Sequence, residues 1–322
     1  NDITYIVTGI GQGAFLDEDI VAITLPNSIR YIDDCAFTEC YALKDINIPE
    51  SLEYIGISAF SDCISLEIPL ALPNTLTRLG DAAFFNAGIT HITIPESVTS
   101  IGSQALQSTS LETVVIPNSV TYMGDGVFQE CHVLTSVTLP EHITRIGDDA
   151  FFFCSSLSNI TLPDSLEYLG NCAFDSCSAL EFIEIPPKVT AINEGTFSYC
   201  ESLKQIILHD GITVIDNWAL QGCSSLEQIT LPLQLTEINY ATFSDCSSLS
   251  SITIPNGVTI INYCAFEHCS SLKEILIPTS VQEIHDRAFA GCQSLEAIHI
   301  PSTTRIVNEN AFYDSPAIIT RY

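Results

Sequence analysis

Residues 116–140 read IPNSVTYMGDGVFQECHVLTSVTLP, and residues 139–163 read LPEHITRIGDDAFFFCSSLSNITLP. The Ile-Pro that opens the first line returns as the Leu-Pro that opens the second, 23 residues on. Working outward, prolines recur at about this interval from Pro26 to Pro301, with His209 filling the one gap. A second register carries phenylalanine from Phe15 to Phe312, with Leu106 and Leu220 as its two aliphatic members. That gives about 14 repeats across 1–322. A unit this short cannot enclose its own core, so each must stack on its neighbours, and the chain reads as a single solenoid.

Within one repeat, LSNITLP (157–163) alternates apolar and polar residues, which predicts a short strand with Leu157, Ile160 and Leu162 facing in. Pro163 ends it, because the ring removes a ladder donor. DSLEYLG follows as a turn with Leu166 and Leu169 inward. NCAFDSC then opens on Asn171, a good N-cap residue, and predicts one helical turn burying Phe174. Asp34, Asp81, Asp125, Asp148 and Asp286 hold the same slot in other repeats.

The resulting pattern, L-x-x-I-x-[IL]-P-x-S-[VIL]-x-x-[IL]-G-x-x-A-F-x-x-C-x-x-L, resembles the leucine-rich repeat of the BspA-like (Treponema pallidum-type) class over nearly the whole chain. The resemblance implies an α/β solenoid: a right-handed superhelix with a parallel β-sheet on the concave side and short helical turns on the convex side. It also implies a surface or secreted protein of a host-associated microbe, often linked to adhesion. A fold-level likeness speaks weakly for function.

Composition narrows the partners. The chain has 39 acidic and 10 basic residues, a formal charge of −29. That field repels phosphate backbones and anionic lipid, which argues against nucleic acid and against direct membrane insertion. No apolar run approaches the roughly 18 residues of a membrane span. No nucleotide loop, G-x-S-x-G elbow, H-E-x-x-H or EF-hand stretch is present, and VTGIGQGAF (7–15) aligns with VTSIGSQAL as an ordinary repeat. His91 and His299 stand alone on distant strands, and Asp148 with Asp149 reads as a solvated convex face. Nothing here assigns a catalytic residue, a metal ligand or a cofactor.

Thirteen cysteines invite a disulfide or metal reading. Ten follow the repeat phenylalanine slot by three residues, and Cys35, Cys172 and Cys264 precede it by two. No C-x-x-C pair occurs, so zinc spacing is absent. Repeats with Glu18, Ala87 or Thr109 in the cysteine slot are also one residue shorter, so the thiol is expected to fill interior space as a small, reduced hydrophobe.

The concave face carries the only candidate site. Its outward row is mostly threonine, interrupted by Val115, Ile207 and Leu276. One strand earlier than Ile207, Phe182 stands where other repeats place Ser, Asn or Gln. Phe182 and Ile207, flanked by Glu184 and Gln205, compose an aromatic and aliphatic patch in a polar surround, the composition of a contact site. LEIPLALP (66–73) carries an extra residue with Pro69, where a bulge is expected, and the lone Trp218 is expected to pack between coils. Neither end reads as a polar cap, which suggests a fragment with caps, signal and anchor outside it. The function these features favour is a non-enzymatic protein-binding or adhesion module at a cell surface or outside the cell, with a host extracellular protein or cell surface as partner. The alternative is an intracellular scaffold in a reducing compartment, which the unpaired cysteines suit. A glycan on the sequon at Asn159 would mark a eukaryotic secretory route.

Overall fold

The computed structural model describes residues 5–322. They form two compact units, the first ending at Ser155 and the second running from Ser156 to Tyr322. Each is a stack of coils with parallel strand pairing. In the first, Thr113–Val115 pairs with Ser136–Thr138, and in the second Phe182–Glu184 pairs with Gln205–Ile207, each residue opposite the one a repeat later. The leucine-rich repeat fold is therefore as expected, and so is the inward set: Leu157, Ile160, Leu162, Leu166 and Leu169 are all buried.

The strand column differs from one long sheet. Its strands are two to four residues long and hydrogen-bond in small groups, such as Ala22–Ile23 with Asp45–Ile46, or Glu274–Leu276 with Ala297–Ile300 and Ile318–Arg321. Proline limits the length of such a strand: Ile185 still donates to the Ile207 carbonyl at 3.0 Å, and Pro186 then has no N–H to give. Around the extra residue, Pro69 is exposed and the strand resumes at Leu70–Ala71, paired with Ile92–Thr93.

A second strand column, unforeseen in the sequence, runs through what reads as a turn. In the first unit Gly9–Ile10, Tyr31–Ile32, Tyr54–Ile55, Arg78–Leu79, Ser100–Ile101 and Tyr122–Met123 form a six-stranded sheet. Where this column leaves the strand in the first unit, coils approach closely. A Cβ at Gly80 would lie 2.5 Å from the Gly56 carbonyl. In several coils of the second unit asparagine takes this slot by another solution: Asn193 and Asn239 donate from Nδ2 to the Leu169 and Ile215 carbonyls at 2.6 and 2.8 Å.

The expected helical turns are absent, and among the described residues there is no helix. Pairs of left-handed residues four apart interrupt the turn segments, as at Cys35 and Glu39 with φ 55° and 60°, and Cys172 and Ser176 with 49° and 60°. A right-handed helix cannot pass through them. The N–H groups then alternate between two partners. Ala36 and Cys40 donate within the turn to Asp33 and Phe37, while Cys35, Phe37 and Glu39 donate to Ile57, Ala59 and Ser61 of the next coil. The aspartates expected as N-caps likewise serve the neighbouring coil: Asp34, Asp81 and Asp125 accept from the backbone N–H of Ile57, Ser103 and Asp148.

The core is a phenylalanine column. Rings stack nearly parallel, Phe37 on Phe60 at 5.2 Å in the first unit and Phe266 on Phe289 at 5.2 Å in the second. Trp218 packs between coils as expected, edge-on to Tyr240 at 5.0 Å. All thirteen cysteines are free, and the ten in the ladder slot are buried. They do more than fill space. Cys200, Cys223 and Cys269 each donate from Sγ to a carbonyl of the phenylalanine column one coil back, those of Phe174, Phe197 and Phe243, at 3.1–3.2 Å. Thr109, which replaces cysteine in a short coil, keeps a local bond to the Leu106 carbonyl at 2.9 Å.

Burial disfavours the thiolate, pushing Cys63, Cys246 and Cys292 up to about 12. Since the thiolate is the reactive form, these groups are inert while folded. Thiol titration of unreduced protein in denaturant should therefore recover close to thirteen groups, matching the free cysteines, and native protein should react far more slowly. Recovery of only a few would reveal a disulfide ladder.

Candidate functional site

The four candidate residues come from two adjacent strands of the second unit. Phe182 lies opposite Gln205, and Glu184 lies opposite Ile207. The strand alternation turns Ile183 and Ile206 into the core and leaves all four candidates facing solvent, with Phe182 43% and Ile207 39% exposed. Phe182 and Ile207 are thus diagonal neighbours across one hydrogen-bonded pair. The other interruptions of the threonine row lack this company. Val115 and Leu276 are more exposed, at 64% and 60%, but stand opposite Thr138 and His299.

Two hollows flank the pair. One, of about 370 Å³, holds Phe182 and Glu184 with Asn159, Thr161 and Asp164 of the preceding coil, and Pro186 and Pro187 at its rim. No basic residue lines it. The other, of about 850 Å³, begins at Gln205 and Ile207 and continues over Gln228, Thr230, Ser251 and Thr253. The first is acidic with an aromatic wall; the second is lined mainly by amides, hydroxyls and aliphatic side chains, together with Lys204 and Glu227. Sequence reading found the ridge between them but missed the hollows and Asp164, which lies beyond Pro163 on a different coil. The sequon residue Asn159 lines the acidic hollow, so a glycan there would occupy it.

The neighbouring cations are committed elsewhere. Lys204 Nζ sits 2.9 Å from Glu181, and Lys188 Nζ 3.2 Å from Glu167. Neither the Asp164 nor the Glu184 carboxylate has a hydrogen-bond or ion-pair partner among the described residues.

Elsewhere the polar groups read as structural. His91 and His299 each contact a threonine hydroxyl, of Thr90 and Thr320. Asp149, half-buried at φ 55°, has its carboxyl raised by burial and by the nearby Asp148 and Asp125. No group of three or more His, Cys, Asp or Glu among the described residues is placed to hold a metal ion. Among the described residues no helix is long and apolar enough to cross a membrane.

The family model described as the BspA type leucine-rich repeat region matches residues 8–134, 121–247 and 196–319. Among solved structures, the chain is similar to a leucine-rich repeat protein from Bacteroides ovatus, with 32% identity and a TM-score of 0.89, covering 99% of this chain and 88% of that one. A leucine-rich cell surface protein from Faecalibacterium prausnitzii shares 26% identity with a TM-score of 0.56, covering 91% and 83%. The pneumococcal vaccine antigen PcpA, at 19% identity and a TM-score of 0.59 over 98% and 85%, shares the fold alone. No curated protein matches the chain.

Proposed function

Because the chain belongs to the BspA-type leucine-rich repeat family, we propose that it is a non-enzymatic protein-binding module, displayed at a cell surface or secreted, that contacts its partner through the Phe182–Ile207 face. Repeat solenoids present extended surfaces on which another protein can lie. The observation that carries the reading is the pairing of an exposed aromatic with an exposed aliphatic side chain inside a polar surround, on rigid hydrogen-bonded strands. Such anchors dominate interface energetics, while the polar rim excludes water. The description of the Faecalibacterium relative as a cell surface protein supports the location. The proposal extends to one uninterrupted solenoid over 1–322, since the repeat text continues unchanged through CSSLSNITLP (154–163).

Binding of the purified chain to a panel of extracellular host proteins tests the reading. At least one saturable interaction is expected, and binding to none would remove the proposal of a host protein partner. The thirteen free thiols favour a second reading, an intracellular scaffold. Labelling of intact producing cells with a membrane-impermeant biotin reagent, with assay of the culture medium, separates the two, since a displayed protein is labelled before lysis and a secreted one is recovered from the medium.

A further inference from the structure

Resting on that protein-binding reading, we infer that the bound segment is an extended polypeptide carrying an arginine two residues from an aliphatic side chain. Phe182 and Glu184 are alternate residues of one strand, so they face outward about 6.6 Å apart. An extended segment lying along the coil repeats its own side chains at the same interval. Its aliphatic side chain meets Phe182, and the residue two positions away meets Glu184.

At that second position the surface selects a cation. Glu184 and Asp164 line one hollow that contains no basic residue, and both nearby lysines are bound to other carboxylates. Ile207 stands directly opposite Glu184 in the strand pair. A long basic side chain can therefore lay its methylenes on Ile207 and still deliver its charge to the carboxylates. Arginine suits the site better than lysine. Its planar fork can offer donors to two carboxylates, where an ammonium is a single point charge.

Other occupants fit less well. A neutral glycan would leave both carboxylates without a counter-charge. A second copy of the chain would bring a net charge of −29 and only ten cations against the same field.

The test uses the whole chain and three synthetic peptides. They share a leucine followed two residues later by arginine, lysine or citrulline, the uncharged isostere of arginine, with flanks of serine and glycine. Calorimetric titration should give tightest binding for the arginine peptide and at least tenfold weaker binding for citrulline, with the difference shrinking in high salt. Glu184→Gln with Asp164→Asn should erase the preference for arginine. So should Thr161→Lys, which places a cation in the same hollow without removing either acid. Phe182→Ala should weaken all three peptides alike. Equal binding of arginine and citrulline peptides, or a preference that survives both sets of variants, overturns the inference. Absence of measurable peptide binding overturns it too, as does tight binding of cellohexaose or a shift to dimer in sedimentation at this face. If Phe182→Ala with Ile207→Ser abolishes binding of a panel protein while the arginine preference is absent, the protein-binding reading stands and only this inference falls.

Discussion

Phe266→Ala should lower the unfolding free energy by about 3–5 kcal/mol. Phe266 is fully buried and stacked on both sides, on Phe243 at 5.3 Å and Phe289 at 5.2 Å. Truncation removes a ring and leaves two others each facing a void, so the transfer and cavity costs add. Closure of the gap by backbone sliding is opposed by the Phe266 N–H, which donates to the Ala288 carbonyl of the next coil at 2.7 Å. Phe266→Leu is the informative companion. Leucine already holds this slot at Leu106 and Leu220, both buried, so the cost should stay under about 1.5 kcal/mol. Urea unfolding under reducing conditions measures both. A loss below about 1 kcal/mol for the alanine variant would show that the ring column is not the core.

Phe182→Ala combined with Ile207→Ser should weaken partner binding by about 2 kcal/mol or more, roughly thirtyfold, while leaving the fold intact. Both side chains face solvent, whereas their strand neighbours Ile183 and Ile206 are buried and untouched. Surface changes of this kind usually shift stability by no more than about 0.5 kcal/mol. The control is Asp148→Ser with Asp149→Ser, which removes two charges from the turn face of the first unit. Binding that survives the first pair and collapses with the second would move the site to the acidic turns. Unfolding of the first pair would show a strand register off by one residue, with Phe182 in the core.

Much of this was readable from the sequence because the period is set by side chains that pack on their own kind. The phenylalanine slot, the inward leucines and the proline exits each follow from one local rule, and the structure places them accordingly. The turns were not readable for a physical reason. Asn171-Cys172-Ala173-Phe174 has the composition of a helix start, but its conformation is decided by N–H groups that reach the next coil, Cys172 to Glu194 and Phe174 to Thr196. Left-handed backbone would have been signalled by glycine, yet residues such as Cys172, Trp218 and Phe153 occupy it here. The second strand column was hidden similarly, since a two-residue strand such as Tyr168–Leu169 is too short to show alternation. At the site, the ridge residues broke a visible row of threonines, whereas Asp164 joined them only through the stacking of one coil on another.

Oxidative footprinting with mass spectrometry tests the central claim most directly, because two phenylalanines serve as matched probes. Phe182 on the strand face and Phe153 on the turn face are both 43% exposed. Free protein should therefore modify at both. In complex with the panel protein that binds most tightly, modification of Phe182 should fall severalfold while that of Phe153 stays as it was. Protection of Phe153 with Phe182 still reactive would contradict the account and place the binding surface on the turns.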